Sequence, residues 1–236
     1  LEHDRGIDAE RRIEVVEGEA NDRIVLDDVS IAYPDGSVVV HAASAELLQG
    51  ERTLIVAGSG TGKSTLVRAK LLFLPQRPYL PTGSLRRVLA YPADPESIED
   101  EAFGEAVRAV GLAGLAARLA DVETWDRALS LGEQQRLAFA RVLLQRPDWV
   151  FLDEALVSLD RAGEEQMMSL FDGPLAGIGV VSVGHASDLA RYHQRTLELV
   201  PGAEGFRLVR AATPPESAAD RVVSLWRRVF GGRRAA

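Results

Sequence analysis

Cysteine is absent from the 236-residue sequence. Its absence removes disulfides, thiolate zinc sites and a thiol nucleophile, and it fits a reducing compartment such as the cytosol. Long apolar runs are missing too: nothing approaches the roughly 18 to 20 consecutive apolar residues of a membrane-spanning helix. The first residues, Leu1-Glu2-His3-Asp4-Arg5, are charged and lack the apolar centre of a signal peptide. Any spanning part is therefore expected on another chain, or on a portion of the protein removed from this one. Nor is there an excess of positive charge. A net charge of −8 disfavours a duplex-wrapping nucleic-acid binder, which needs a basic face. It leaves room for a local phosphate site.

What is present is an ordinary globular balance, 46% hydrophobic and 26% charged, which argues against disorder. The length suits one domain, or one core carrying a smaller subdomain. Residues 1–22 are acidic and aperiodic and read as a linker. Ile24-Val25-Leu26, Val29 to Tyr33, Val38-Val39-Val40 and Thr53 to Ala57 read as strands, with a turn at Pro34-Asp35-Gly36. Leu71-Leu72-Phe73-Leu74, Trp149-Val150-Phe151-Leu152 and Gly179 to Val183 are apolar runs of buried-strand type. Residues 84–120 carry Ala, Leu, Glu and Arg at helical spacing, broken by Pro92, Pro95 and Gly111, and Gln134 to Leu144 reads as a helix. Strands alternating with helices, with polar residues at strand C-termini, predict an α/β fold on a parallel sheet.

One junction is physically awkward. The helix expected after Lys63 would run directly into the strand at Leu71, although a parallel crossover needs a dozen or more residues. Residues are therefore expected to be missing between Ala69 and Lys70.

Three segments carry chemistry. Gly58-Ser59-Gly60-Thr61-Gly62-Lys63-Ser64-Thr65 follows a strand and precedes a helix. Its glycines let backbone N–H groups converge on phosphate oxygens, Lys63 would reach the β- and γ-phosphates, and the Ser64 hydroxyl would ligate Mg²⁺. The strict pattern wants glycine where this chain has Ala57, which a negative φ tolerates. Asp153-Glu154 ends an apolar strand; a carboxylate there suits Mg²⁺ or its water shell, and its neighbour suits a general base. Leu129-Ser130-Leu131-Gly132-Glu133-Gln134-Gln135-Arg136 precedes a helix, where Ser130 also reads as an N-cap with Glu133 completing a capping box.

That last segment resembles the signature of ATP-binding cassette (ABC) proteins, with Leu131 in its third position, and the motif order resembles that family from Ile24 to about Val200. The resemblance implies a P-loop NTPase (RecA-like) α/β core, an N-terminal antiparallel β subdomain and a helical signature subdomain at about 77–137. The ATP-binding domain would then occupy 23–210, with a tail at 211–236. It also implies roles. Tyr33 would stack on adenine, a reading that competes with a core aromatic. Gln76 would touch Mg²⁺ and sense a transmembrane partner. Asp160 would form the D-loop, and His185 would contact the γ-phosphate, where a plain surface histidine is the other reading. The signature residues Ser130, Leu131, Gly132, Glu133 and Gln134 would act in trans on ATP bound by a second copy. Leu72 to Pro81 and Leu129 to Arg141 resemble the branch of peroxisomal acyl-transporting half-transporters (subfamily D) and of bacterial SbmA/BacA-like permease–ATPase fusions. Members of that branch hold extra residues at the 69–70 junction.

The expected function is ATP hydrolysis, with Lys63, Glu154 and His185 as catalytic groups, driving transport from the cytoplasmic face of a bacterial inner membrane. The expected partners are a second ATP-binding domain and a transmembrane domain, and not nucleic acid. The other reading is a soluble cassette protein acting on ribosomes or DNA. Such proteins typically carry two cassettes or long coiled coils, whereas this chain shows one motif set and no sustained heptads. A P-loop kinase or GTPase would lack the signature and the strand-end histidine. Two departures stand out: Leu156-Val157 replace hydroxyl residues, which predicts a looser D-loop, and Ala186 replaces a common arginine. In the tail, Val222, Trp226, Val229 and Phe230 with nearby arginines suit a helix packed on its own domain, or one docked on a membrane or partner.

Overall fold

The structure, a computed structural model, describes residues 22–32, 38–56, 71–184, 189–203 and 205–211. Among these, ten strands and five α-helices are found. The strands are β1 (Arg23–Ala32), β2 (Val38–Leu48), β3 (Arg52–Val56), β4 (Leu71–Leu74), β5 (Gly83–Ser84), β6 (Val122–Glu123), β7 (Trp149–Asp153), β8 (Gly179–Gly184), β9 (Arg195–Gly202) and β10 (Gly205–Arg210). The helices are α1 (Leu85–Ala90), α2 (Asp100–Ala109), α3 (Trp125–Ala128), α4 (Leu131–Gln145) and α5 (Arg161–Ser169).

Eight strands form one mixed sheet in the order β1-β2-β10-β9-β3-β8-β7-β4. From β9 to β4 every neighbouring pair is parallel, whereas β1 with β2 and β9 with β10 are antiparallel. The parallel strands alternate their side chains between two cores, as period-2 geometry requires. Leu54, Val56, Val150, Leu152 and Val180 enter the larger core, with Leu85, Leu137, Phe139 and Met167 from the helices. Trp149 and Val181 enter the smaller core with Leu47 of β2 and Leu197 of β9. Helices cover one face and antiparallel strands the other, which explains why the parallel strands are apolar on both sides.

The predicted strands at 71–74, 149–152 and 179–183 form as read, and so does the 134–144 helix, which starts three residues earlier. The helical block 84–120 holds α1, α2 and a 3-10 segment at Ala113–Arg118, and the short β5–β6 ribbon flanks it and closes it. The expected phosphate loop, Tyr33, His185, the 69–70 junction, all but residue 22 of the 1–22 linker and all but residue 211 of the 211–236 tail lie outside the described residues.

Candidate functional site

Strand register builds the site. Val56 of β3 is level with Gly184 of β8, Val183 with Asp153 of β7, and Leu152 with Leu74 of β4. The C-terminal ends of four parallel strands therefore form one edge. From it leave the chain segments that carry Gln76 and Asp153-Glu154. The C-terminal edge of a parallel sheet is where open α/β folds bind ligands.

At this edge Asp153 is half-buried as the last residue of β7. Glu154 leaves the strand with φ 51°, a left-handed conformation that costs a residue with a Cβ about 1 kcal/mol or more. Two bonds hold it there: its N–H donates to Val183 O at 3.0 Å, and its carbonyl accepts from Val157 N at 3.2 Å. The kink turns the chain out of the sheet immediately after the acidic pair. Leu156 then sinks into the larger core, 2% exposed. Leu156 is an apolar anchor of this turn, and Leu159 N donates to Leu156 O at 3.0 Å. Asp160 caps α5, its Oδ1 accepting from Gly163 N at 2.9 Å.

Ser130 occupies the N-cap of α4 with extended backbone (φ −61°, ψ 158°). The capping box is complete: Ser130 Oγ accepts from Glu133 N at 3.3 Å, and Glu133 Oε2 accepts from Ser130 N at 2.8 Å. The Ser130 hydroxyl also donates to that carboxylate at 2.7 Å. Gln134 Nε2 donates to Asp126 O and Leu129 O, both at 2.9 Å, which fixes the chain entering the helix. Gly132 lies so close to the D-loop that a Cβ there would stand 3.0 Å from Ser158 O.

The sequence reading missed Gln135. Its side chain is fully buried, and its Nε2 donates to Pro75 O at 3.1 Å and to Gln76 O. The Gln76 segment is thereby tied to the signature helix. The only signal for this in the sequence is a polar residue on the apolar side of α4, one turn before Ala138 and Phe139.

The structure thus brings Gln76 and Asp153-Glu154 to one sheet edge, and joins the signature helix to both the Gln76 loop and the D-loop. Among the described residues no group of three or more His, Cys, Asp or Glu gathers as a metal site. Gln76 and Asp153 are oxygen donors, the type that Mg²⁺ takes alongside substrate phosphates.

The fold and this edge define an α/β domain whose parallel strands present Gln76, Asp153 and Glu154 where such folds bind ligands. Comparison with known proteins sharpens that class. A family model described as "ABC transporter" matches residues 68–157, which include Gln76, the signature and Asp153-Glu154. An "Uncharacterized ABC transporter ATP-binding protein" of Haemophilus influenzae is 38% identical over 193 residues, 75% of this chain and 33% of that protein. The Escherichia coli "Inner membrane ABC transporter ATP-binding protein YddA" is 32% identical, over 67% of this chain and 31% of its own length. The human "Lysosomal cobalamin transporter ABCD4" is 30% identical, over 78% and 35%. In fold, the chain is similar to a bacterial Atm1-family ABC exporter with ATP bound, at TM-score 0.68 and 22% identity, over 88% of this chain and 40% of that one. The chain belongs to the ABC transporter family and is an ATP-binding, ATP-hydrolysing domain whose relatives include subfamily D members. It spans about a third of the length of the curated relatives it matches.

Proposed function

We propose that this domain drives a membrane transporter by closing and reopening with a second copy around two ATP molecules. The observation that carries the reading is the single sheet edge that gathers Gln76, Asp153 and Glu154, with the capped signature helix tied to its loop. Lys63 with the Gly58 to Thr65 loop would hold the phosphates, and Tyr33 the adenine. Ser64, Gln76 and Asp153 would hold Mg²⁺, which neutralises phosphate charge when bound. Glu154 would orient and deprotonate the attacking water, with His185 facing the γ-phosphate. Ser130, Leu131, Gly132, Glu133 and Gln134 would complete the site of the partner copy, and Asp160 would lie at that junction.

The domain arrangement, with 1–22 as a linker from a membrane domain, 23–210 as the ATP-binding domain and 211–236 as a tail, belongs to the same reading. So does a place on the cytoplasmic face of a membrane, a bacterial inner membrane by the likeness to the Escherichia coli relative. We also infer that residues are missing between Ala69 and Lys70. Strands β8 and β7 separate β3 from β4, yet only 14 residues join the two. The match to the Haemophilus protein runs over 193 residues, more than the 75% of this 236-residue chain that it uses.

Glu154→Gln tests the reading. Without its base the chain is expected to bind ATP, hydrolyse it at least about a hundredfold more slowly, and accumulate as an ATP-dependent dimer. Size-exclusion chromatography with light scattering reads this directly. A variant that hydrolyses at the normal rate and stays monomeric with ATP removes Glu154 from the role.

A further inference from the structure

We propose that Gln135 is a positioning residue: it holds the Gln76 loop against the signature helix, so that the two halves of the nucleotide machinery carried by this chain move as one body. The proposal rests on the function proposed above and names a device within it. Gln135 stands on the second turn of α4, five residues beyond Ser130, and is 0% exposed. Its amide nitrogen bridges two successive carbonyls, Pro75 O and Gln76 O, at the point where the chain leaves β4.

The chemistry allows one orientation of that amide. An Nε2 group has two protons to give and faces two acceptors; flipped, the carbonyl oxygen would oppose two carbonyls. Gln135 Oε1 in turn is buried without a partner among the described residues. An orphaned buried acceptor costs about 1–3 kcal/mol, so this glutamine is a poor choice for mere packing, where leucine or methionine would fill the space without that cost. Its donors are what the position uses.

Two features make the bridge stiff. Pro75 restricts its own backbone through its ring. At the other end, Gln134 and the Ser130–Glu133 box lock the first turn of α4 to the chain before it. A displacement of the Gln76 loop by nucleotide is thus delivered to the helix that presents Ser130, instead of being absorbed by a loose side chain.

Gln135→Met tests this, because methionine matches the length and volume but donates nothing. Two readouts are taken. In the nucleotide-free chain, amide hydrogen exchange over the end of β4, Phe73 and Leu74, which pairs with β7 and adjoins the bridge, is expected to rise about tenfold, the worth of two lost hydrogen bonds, with exchange in β3 and β8 unchanged. In the Glu154→Gln background, the ATP concentration for half-maximal dimerisation is expected to rise about tenfold, while nucleotide affinity of the monomer changes less than about twofold. Unaltered exchange at the end of β4, or an unaltered dimerisation curve, overturns the proposal. If Glu154→Gln itself forms no dimer, the function proposed above fails, and the exchange readout still decides whether Gln135 holds the loop. Should Gln135→Met not fold, Gln135→Asn, one methylene too short for the bridge, is measured in the same two ways.

Discussion

At the scale of single residues, His193 is a half-buried titratable group whose two ring nitrogens are both engaged. Its Nδ1 lies 2.7 Å from Leu189 O and its Nε2 2.7 Å from Ser182 Oγ. The carbonyl can only accept, so Nδ1 carries the proton and Nε2 accepts from the serine hydroxyl. The ring thus joins β8 to the chain just beyond residues 185–188. Burial, reinforced by the charge of Arg52 and opposed by the Leu189 carbonyl, pushes its pKa down to about 4. An unfolded histidine titrates near about 6.5. Between these values the unfolded chain takes up a proton that the folded chain refuses. Stability is therefore full above about pH 6.5 and declines as pH falls toward 4, by on the order of 2 kcal/mol for a ring only partly shielded from water. Urea unfolding across pH 4 to 7 should show that decline in the parent chain and a flatter profile in His193→Gln. Parallel profiles would assign the acid sensitivity elsewhere.

At the scale of elements, strands β7 and β8 are held in register by a shape match. Trp149 pairs with Gly179, and a Cβ on that glycine would lie 2.4 Å from the indole. Gly179→Ala must push the ring out of the smaller core. Overpacking of this kind costs about 1–3 kcal/mol, read as a lower midpoint in thermal or urea unfolding; an unchanged midpoint would mean that the strands slide freely. The same two strands were legible in the sequence because each is a short, largely apolar run that gives way to polar residues. Strand β2 was only partly legible. Val38-Val39-Val40 announces it, but the following Ala42, Ala43 and Ala45 carry little strand preference, and Ala42 takes φ 50° where the register slips. The β9–β10 hairpin hid for another reason: it lies inside the sheet between β2 and β3, yet its charged and apolar residues mix on partly exposed strands and form no apolar run. Helix α5 was not legible, because it contains Gly163, a helix-weakening residue; its N-cap is Asp160. In the site, the acidic pair and Ser130 could be read because their chemistry is local. The bond from Gln135 to Pro75 and Gln76 could not, since 59 to 60 residues separate the partners.

At the scale of the whole molecule, one copy of the proposed site is incomplete, which makes a mixing experiment decisive. Lys63→Ala and Ser130→Arg chains should each be inactive alone. Combined, a two-fold dimer of one copy of each rebuilds a single intact site, so activity should return to about a quarter of the parent level. Catalysis confined within one chain would give no recovery. The contact between Gly132 and Ser158 adds a consequence. Glu154, which would act on the nucleotide of its own chain, lies four residues before Ser158, and Ser158 O sits under the helix that would face the nucleotide of the partner. A shift at Glu154 therefore has a short, solid route to the neighbouring reaction centre. Such a pair of motors would fire with knowledge of each other, and alternation of the two strokes would follow from packing at one glycine.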